Sequence, residues 1–318
     1  MTLFDPDSDL VTGPLVEGAP EEPVLAVDDV QGVVLPGFAT AFQRLVGVRF
    51  ADADAGRRWL GRWAPTGSSL AEVMAGRNAR RRALRAGRPP PETPVWTGLA
   101  VSAGCLRLFG VDPHAVGDPA FAVGMWPRSR LLGDDGDRRD WVVGGSEETT
   151  PHVLVVLGAQ AAQPPDERAE LLAADPDGAV VFTQRGEVLE GDREHFGFRD
   201  GVSAVGVRGR LSAGDRHFLT RRWIDPADDR ARAWARPGQP LVWPGQFVFG
   251  YPRQDRTDAL RPFPPHAVPA WVANGSLLAF RRLRQDVPAW RFPPARRSPS
   301  PGCRWSGAGS SPGSSGWC

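Results

Sequence analysis

Apolar residues between positions 42 and 183 follow two different periods. Continuous or alternating apolar runs are typical of strands, and apolar residues three and four positions apart are typical of helices. The pattern predicts strands at 45–50, 96–102, 152–157 and 179–183, and helices at 53–63, 103–110 and 165–174. Asp52 is placed to cap the first helix and Gly110 to end the second. Strands and helices in this order are those of a ferredoxin-like α+β unit.

A weaker version of the same pattern recurs after residue 200. It predicts strands at 246–251 and 276–281, and a helix that starts within 283–290. Between the elements of the first unit, residues 76–93 are rich in Arg and Pro and predict a loop. The fold class expected is therefore α+β, with a second, incomplete unit after the first.

Both ends of the chain differ from its middle. Residues 1–28 are rich in Pro, Asp and Glu without any period, which predicts a flexible arm. In residues 293–318, Pro, Gly and Ser make up 17 of the 26 residues. This segment is either a low-complexity tail or the product of GC-rich DNA read out of frame. Its two Trp and two Cys, which solvated linkers normally lack, favour the second interpretation.

Composition narrows the functional classes. The 318 residues are 41% hydrophobic and 24% charged, with a formal net charge of +1, which is typical of a globular protein. A charge near zero gives no electrostatic reason to expect nucleic acid or a membrane surface as partner. Three cysteines, an acidic N-terminus without an apolar core, and no apolar run of membrane-spanning length predict a cytoplasmic protein.

One short segment carries candidate chemistry. HFGFRDGVS, at 195–203, contains a Gly-x-x-Asp-Gly element at 197–201. Glycines on both sides of Asp200 allow a sharp turn and a close approach of the backbone to a flat ligand. The alternative is an inert, solvated Asp in a Gly-flanked turn. The pentapeptide alone does not separate these two interpretations.

Four ordered blocks resemble the dye-decolorizing (DyP-type) haem peroxidases. HFGFRDGVS is similar to the distal-site motif of that family. The other blocks are DDVQGVVLPGF at 28–38, GQFVFGYP at 245–252 and GSLLAFRRLRQDVPAW at 275–290, with a looser fit of WPRSRLLGD at 126–134. Four blocks in the family's order are far more specific than one short motif, and they extend the resemblance over residues 28–292.

The resemblance implies tandem ferredoxin-like domains, here 29–195 and an incomplete 196–292, with haem b held between them. It implies an iron-dependent oxidoreductase in which hydrogen peroxide is reduced while dyes or phenolic aromatic compounds are oxidised. Asp200 would be the distal acid/base, and Gly201, Val202 and Ser203 would contact haem. Whether the protein forms homo-oligomers is left open.

The family's axial His is not found in this sequence. In the family it lies well downstream, and the distal Arg follows it, but the last His here is His266. Arg281, Arg282 and Arg284 do not correspond to that distal Arg, and no metal ligand is assigned. We therefore expect this chain to bind haem poorly and to have little peroxidase activity. Alternatives are a non-catalytic α+β binding protein or an inactive paralogue; a chlorite dismutase is disfavoured by the Asp200 motif.

Overall fold

The computed structural model describes residues 13, 15–134, 136–191, 193–199, 204–214 and 217–291. Residues 15–291 contain six α-helices and nine strands within these ranges. The helices are α1 (Ala53–Trp63), α2 (Leu70–Arg85), α3 (Ala103–Leu108), α4 (Pro119–Val123), α5 (Gln163–Ala173) and α6 (Val287–Arg291). The strands are β1 (Phe42–Arg49), β2 (Trp96–Val101), β3 (Val153–Ala159), β4 (Ala179–Glu187), β5 (Gly206–Val207), β6 (Trp234–Arg236), β7 (Gln239–Val242), β8 (Arg253–Gln254) and β9 (Pro262–Phe263).

The first four strands form one antiparallel sheet in the order β2-β3-β1-β4. Val46 at the centre of β1 lies opposite Val155 of β3 on one side and Thr183 of β4 on the other. This order, with helices between the strands, confirms the predicted ferredoxin-like unit. The predicted strands are correct to within a few residues, and the first predicted helix has the bounds of α1.

The core of this unit lies between the sheet and the helices α1 and α5. Trp59 of α1 and Leu172 of α5 are fully buried against Val153 and Leu157 of β3. Asp52 caps α1 as expected, since its Oδ1 accepts the amide of Ala55 at 2.8 Å. Local capping and the apolar pattern therefore agree with the tertiary packing here.

Helix α2 corrects the prediction of a loop at 76–93, because its residues 76–85 are helical. It starts with a capping box, in which Ser69 Oγ accepts the amide of Glu72 and Glu72 Oε2 accepts the amide of Ser69. Only its first half is buried, at Leu70, Ala71, Val73 and Met74. Its second half is rich in Arg, a good helix former that leaves no apolar stripe to recognise.

The second region also departs from the prediction. Residues 246–251, expected as a strand, contain the end of the 3₁₀ helix Pro244–Gln246 followed by turns. A Cβ on Gly245 would lie 2.2 Å from the carbonyl oxygen of Tyr251, so the chain folds back on itself here. Residues 276–281 form no strand, and the helix near 283–290 is reduced to α6.

Short strands build this second region instead. β5, β7 and β6 form a three-stranded sheet in that order, and β8 pairs with β9. Side chains of the segment before α6 contact strand β4. The rings of Phe182 and Phe280 are 5.7 Å apart, and Arg282 donates a hydrogen bond to the side chain of Gln184. Backbone pairing along residues 276–281 is absent among the described residues, which is why they are not a strand.

Residues 15–28 are not a loose arm throughout. Glu22 and Leu25 are buried, and Leu25 belongs to a core cluster that also contains Val207 and Val248. Backbone hydrogen bonds join Leu25 and Pro23 to Arg210. None of the helices within the described residues is long and apolar enough to cross a bilayer.

Candidate functional site

The four residues expected at the site, Asp200, Gly201, Val202 and Ser203, lie outside the described residues. The described chain ends at Arg199 on one side of them and starts again at Ala204 on the other. The structure therefore describes the chain immediately before and immediately after the motif.

A tight turn leads into the motif, and the carboxylate of Glu194 holds it. Glu194 Oε2 accepts the amide of Phe196 and Oε1 accepts the amide of Phe198, each at 2.8 Å. Gly197 at the turn has φ +98°, a conformation that an L side chain rarely adopts. Isolated bridges of Arg193 to Leu189 and Arg199 close the base of the turn.

The electrostatics of Glu194 match this role. Its environment pushes the pKa of Glu194 upward through lost solvation. The hydrogen bonds from the amides of Phe196 and Phe198 and from Gln285 outweigh that effect and lower the pKa. Glu194 therefore stays ionised and keeps the turn fixed at neutral pH. Glu194 is not among the site residues expected from the sequence, although an acidic residue before a Gly-containing turn is a recognisable capping pattern.

The same turn is anchored to the last described segment of the chain. Gln285 Nε2 donates to Glu194 Oε2 at 2.7 Å. The ring of Trp290 in α6 packs between two turn residues, 5.3 Å from Phe196 and 5.8 Å from Phe198. Two of the four sequence blocks, 195–203 and 275–290, are thus brought into contact by the fold.

On the other side of the motif the chain enters the second sheet. Gly206 of β5 pairs in parallel with Leu241 of β7, and both Gly206 and Val207 are buried. The amide of Val207 donates to Thr220 Oγ1 at 2.9 Å. The described chain therefore leads into the motif through an anchored turn and leaves it into a buried strand.

Each of the five histidines has a local structural role or lies in solvent. His114 and His195 are exposed. His152 is buried, and its Nδ1 accepts the amide of Phe50 at 2.9 Å. His217 pairs with Ser212, and His266 Nε2 lies 3.1 Å from Arg253 Nη1.

Two cavities test whether the described residues fit haem. The smaller, about 80 Å³, is lined by His266 but is too small for a porphyrin. The larger, about 410 Å³, is lined by no His, Cys, Met or Tyr among the described residues. No group of three or more His, Cys, Asp or Glu side chains is arranged around a metal site in the described part of the chain. Neither of these two cavities, as lined by the described residues, therefore fits haem.

Known proteins are similar to this chain over most of its length, and not only at the four blocks. No family model matches the sequence. Peroxidase 2 of Mycetinis scorodonius is 28% identical over 295 residues, which are 90% of this chain and 49% of that protein. Dye-decolorizing peroxidase msp1 of the same fungus is 26% identical over 269 residues, 83% of this chain and 44% of that protein. The chain is similar to dye-decolorizing peroxidases over most of its length.

Solved structures of that family share the fold. An ancestral D-type dye-decolorizing peroxidase gives a TM-score of 0.58 at 23% identity, over 80% of this chain and 48% of that one. AauDyP complexed with imidazole gives 0.59 at 21%, over 83% and 50%. A dye-decolorizing peroxidase in complex with 2,6-dimethoxyphenol gives 0.55 at 22%, over 79% and 48%. The chain spans about half the length of the curated relatives it matches.

Proposed function

We propose that this chain carries the distal side of a DyP-type haem b peroxidase, which uses hydrogen peroxide to oxidise dyes and phenolic aromatic compounds. The similarity to dye-decolorizing peroxidases and the four ordered blocks support this proposal. In it, Asp200 is the distal acid/base, and Gly201, Val202 and Ser203 contact haem. The relative bound to 2,6-dimethoxyphenol supports a methoxyphenol as test substrate.

The turn at 193–199 is the observation that carries the proposal. A proton-transferring carboxylate must be held within hydrogen-bond reach of its substrate, which requires a rigid approach. Glu194 fixes the turn immediately before Asp200 through two backbone amides, and Gln285 and Trp290 fix it from outside. A surface Asp in an inert turn does not need such anchoring from a segment ninety-one residues away.

We further propose that the 318-residue chain binds haem weakly and turns over little substrate. Its last His is His266, and the described histidines are exposed or engaged elsewhere. Without an axial imidazole, the iron lacks its principal bond to the protein. We place the chain in the cytoplasm on its three cysteines, of which Cys105 is a buried free thiol.

The test has two arms. Purified chain is titrated with haemin, and we expect no sharp, stoichiometric Soret band and no oxidation of 2,6-dimethoxyphenol by hydrogen peroxide. The coding DNA is then read past codon 292 in the two other frames. A continuation with a His followed downstream by an Arg is expressed in frame and assayed in the same way.

We expect that extended protein to bind haem and to lose about a hundredfold or more of its activity on Asp200→Asn. Glu190→Gln, the same loss of charge at an exposed position before the turn, is the matched control. Full haem binding and turnover by the 318-residue chain would contradict the impairment. No such continuation in any frame would favour the non-catalytic binding protein or inactive paralogue. The 410 Å³ cavity, which has no haem ligand among the described residues that line it, also allows this alternative.

A further inference from the structure

The larger cavity, of about 410 Å³, lies where the N-terminal segment crosses the second region. Four arginines and two glutamates line it: Arg208, Arg210, Arg222, Arg232, Glu21 and Glu22. The remaining wall is apolar: Leu15, Val16, Ala19, Pro20, Phe218, Ala231 and Leu241. None of these residues belongs to the turn or the motif described above.

At the base of this cavity two guanidinium groups share one carboxylate. Glu22 Oε1 accepts Arg222 Nη2 at 2.5 Å and Arg208 Nη1 at 3.3 Å, and Glu22 Oε2 accepts the amide of Gly209 at 2.7 Å. The side chains of all three charged residues are at most 6% exposed. Among the described residues, two guanidinium charges at the base therefore share a single carboxylate, which leaves an excess of positive charge.

Burial and the neighbouring aromatic rings act on the two guanidinium groups in opposite directions. Burial lowers the pKa of Arg208, and Arg222 lowers it further, while Glu22 opposes both effects. Aromatic faces compensate in part, with Trp243 5.4 Å from the Arg208 guanidinium and Phe218 4.6 Å from that of Arg222. Nε of Arg208 is buried and has no hydrogen-bond partner among the described residues.

A purely structural role explains only part of this arrangement. A tie between the N-terminal segment and the second region needs only Glu22, Gly209 and one of the two arginines. A second arginine adds a desolvated charge, which is costly unless something else neutralises it. An anion that enters the cavity would supply the missing charge. Arg232, whose side chain is 44% exposed, places a further guanidinium where an anion would enter.

We propose that this cavity binds a small organic anion, a carboxylate attached to an apolar body. The carboxylate faces the guanidinium groups, which suit its planar geometry. The apolar body packs against the wall that contains Leu15, Phe218 and Leu241. A volume of about 410 Å³ is in the range of small-molecule sites in proteins. The site requires neither haem nor Asp200, so it stands apart from the proposed peroxidase function.

Isothermal titration calorimetry of the full chain with benzoate tests the proposal. Benzamide has the same shape without the charge, and inorganic phosphate has the charge without the apolar body. We expect saturable binding of benzoate, with benzamide and phosphate at least about tenfold weaker. Equal binding of benzamide, equal or tighter binding of phosphate, or no saturation at about 10 mM benzoate would overturn the proposal.

Variants locate the site. Arg232→Gln removes a lining charge and is expected to weaken benzoate binding about fivefold. Arg230→Gln changes the same 3₁₀ helix at an exposed arginine outside the cavity and should leave affinity unchanged. Equal effects of the two would contradict the proposal.

Glu22→Gln provides a change in the opposite direction. It removes the competing negative charge but keeps the side-chain shape, so we expect benzoate to bind several-fold more tightly. Unchanged or weaker binding by a folded variant would contradict an anion site. Thermal unfolding monitors folding, and if Glu22→Gln does not fold, the two arginine variants at the surface decide the outcome.

Discussion

The first sheet and the second region differ in how their strands are held. Strands β1 to β4 are six to nine residues long and pair along nearly their whole length. Strands β5 to β9 have only two to four residues. A long ladder satisfies its own backbone groups, whereas short ladders depend on side-chain contacts with other segments.

Those contacts come from distant parts of the chain. Leu25 and Leu70 pack with Val207 and Val248 of the second region, and Val116 packs with Val272. The turn before Asp200 is likewise held by residues near the end of the described chain. The turn before Asp200 therefore depends on distant segments in the same way as the short strands of the second region.

The largest effect is expected from a substitution in the core of the first sheet. Trp59→Ala removes a fully buried ring packed 5.4 Å from Phe50, and should cost about 3–5 kcal/mol in the free energy of unfolding. Urea denaturation followed by circular dichroism measures this loss. Trp271→Ala, at a 55% exposed position in the second region, is the matched control and should cost far less. Similar losses would remove the contrast between the two regions.

A smaller effect is expected where the N-terminal segment is tied to the second region. Tyr251 Oη accepts the amide of Ala26 at 2.8 Å and donates to Asn274 Oδ1 at 3.0 Å. Tyr251→Phe should cost about 1–2 kcal/mol, since it leaves both partners unsatisfied. Hydrogen exchange should speed up at residues 24–30 and 248–275 but stay unchanged in β1 and β3. Uniform acceleration would mean that the two regions unfold as one unit.

Local capping gives the next effect. Ser69→Ala removes one half of the capping box of α2 and should cost about 1 kcal/mol. Ser276→Ala is the control, because that exposed hydroxyl makes only a long 3.5 Å contact to the backbone. Chemical denaturation of both variants measures the difference. If Ser276→Ala were the more damaging, residues 276–286 would contribute more order than their lack of strand pairing implies.

The smallest effect concerns pH and the first sheet. Burial, helped by the nearby charge of Arg49, lowers the pKa of His152 from its ordinary value of 6.5. The unfolded chain therefore takes up a proton first as pH falls. The contribution of His152 to stability is fully present above pH 6.5 and is lost as pH falls toward the folded pKa.

Replacing His152 by Asn, which keeps an acceptor for the amide of Phe50, should flatten this pH dependence. Unfolding free energies at pH 7.5 and pH 5.5 measure it, with the exposed His114→Asn as control. An unchanged slope in the His152 variant would show that other groups govern the response.

The sequence was informative where local rules and packing agree. Asp52 caps α1 and the apolar runs become β1 to β4, because caps and periodicity act over a few residues. It failed at α2, where arginines hide the helical period, and at 246–251, where Gly245 folds the chain back against Tyr251. The site residues Asp200 to Ser203 stay a prediction.

The sequence by itself determined the ferredoxin-like unit, the four family blocks and the lack of any His after His266. Only the tertiary structure decided that Gln285 and Trp290 anchor the turn before Asp200. It also decided that Glu22 meets Arg208 and Arg222, which follow it by 186 and 200 residues. Periodicity and capping are local in the chain, but the energy of a charge depends on what surrounds it in space, and folding alone sets those surroundings.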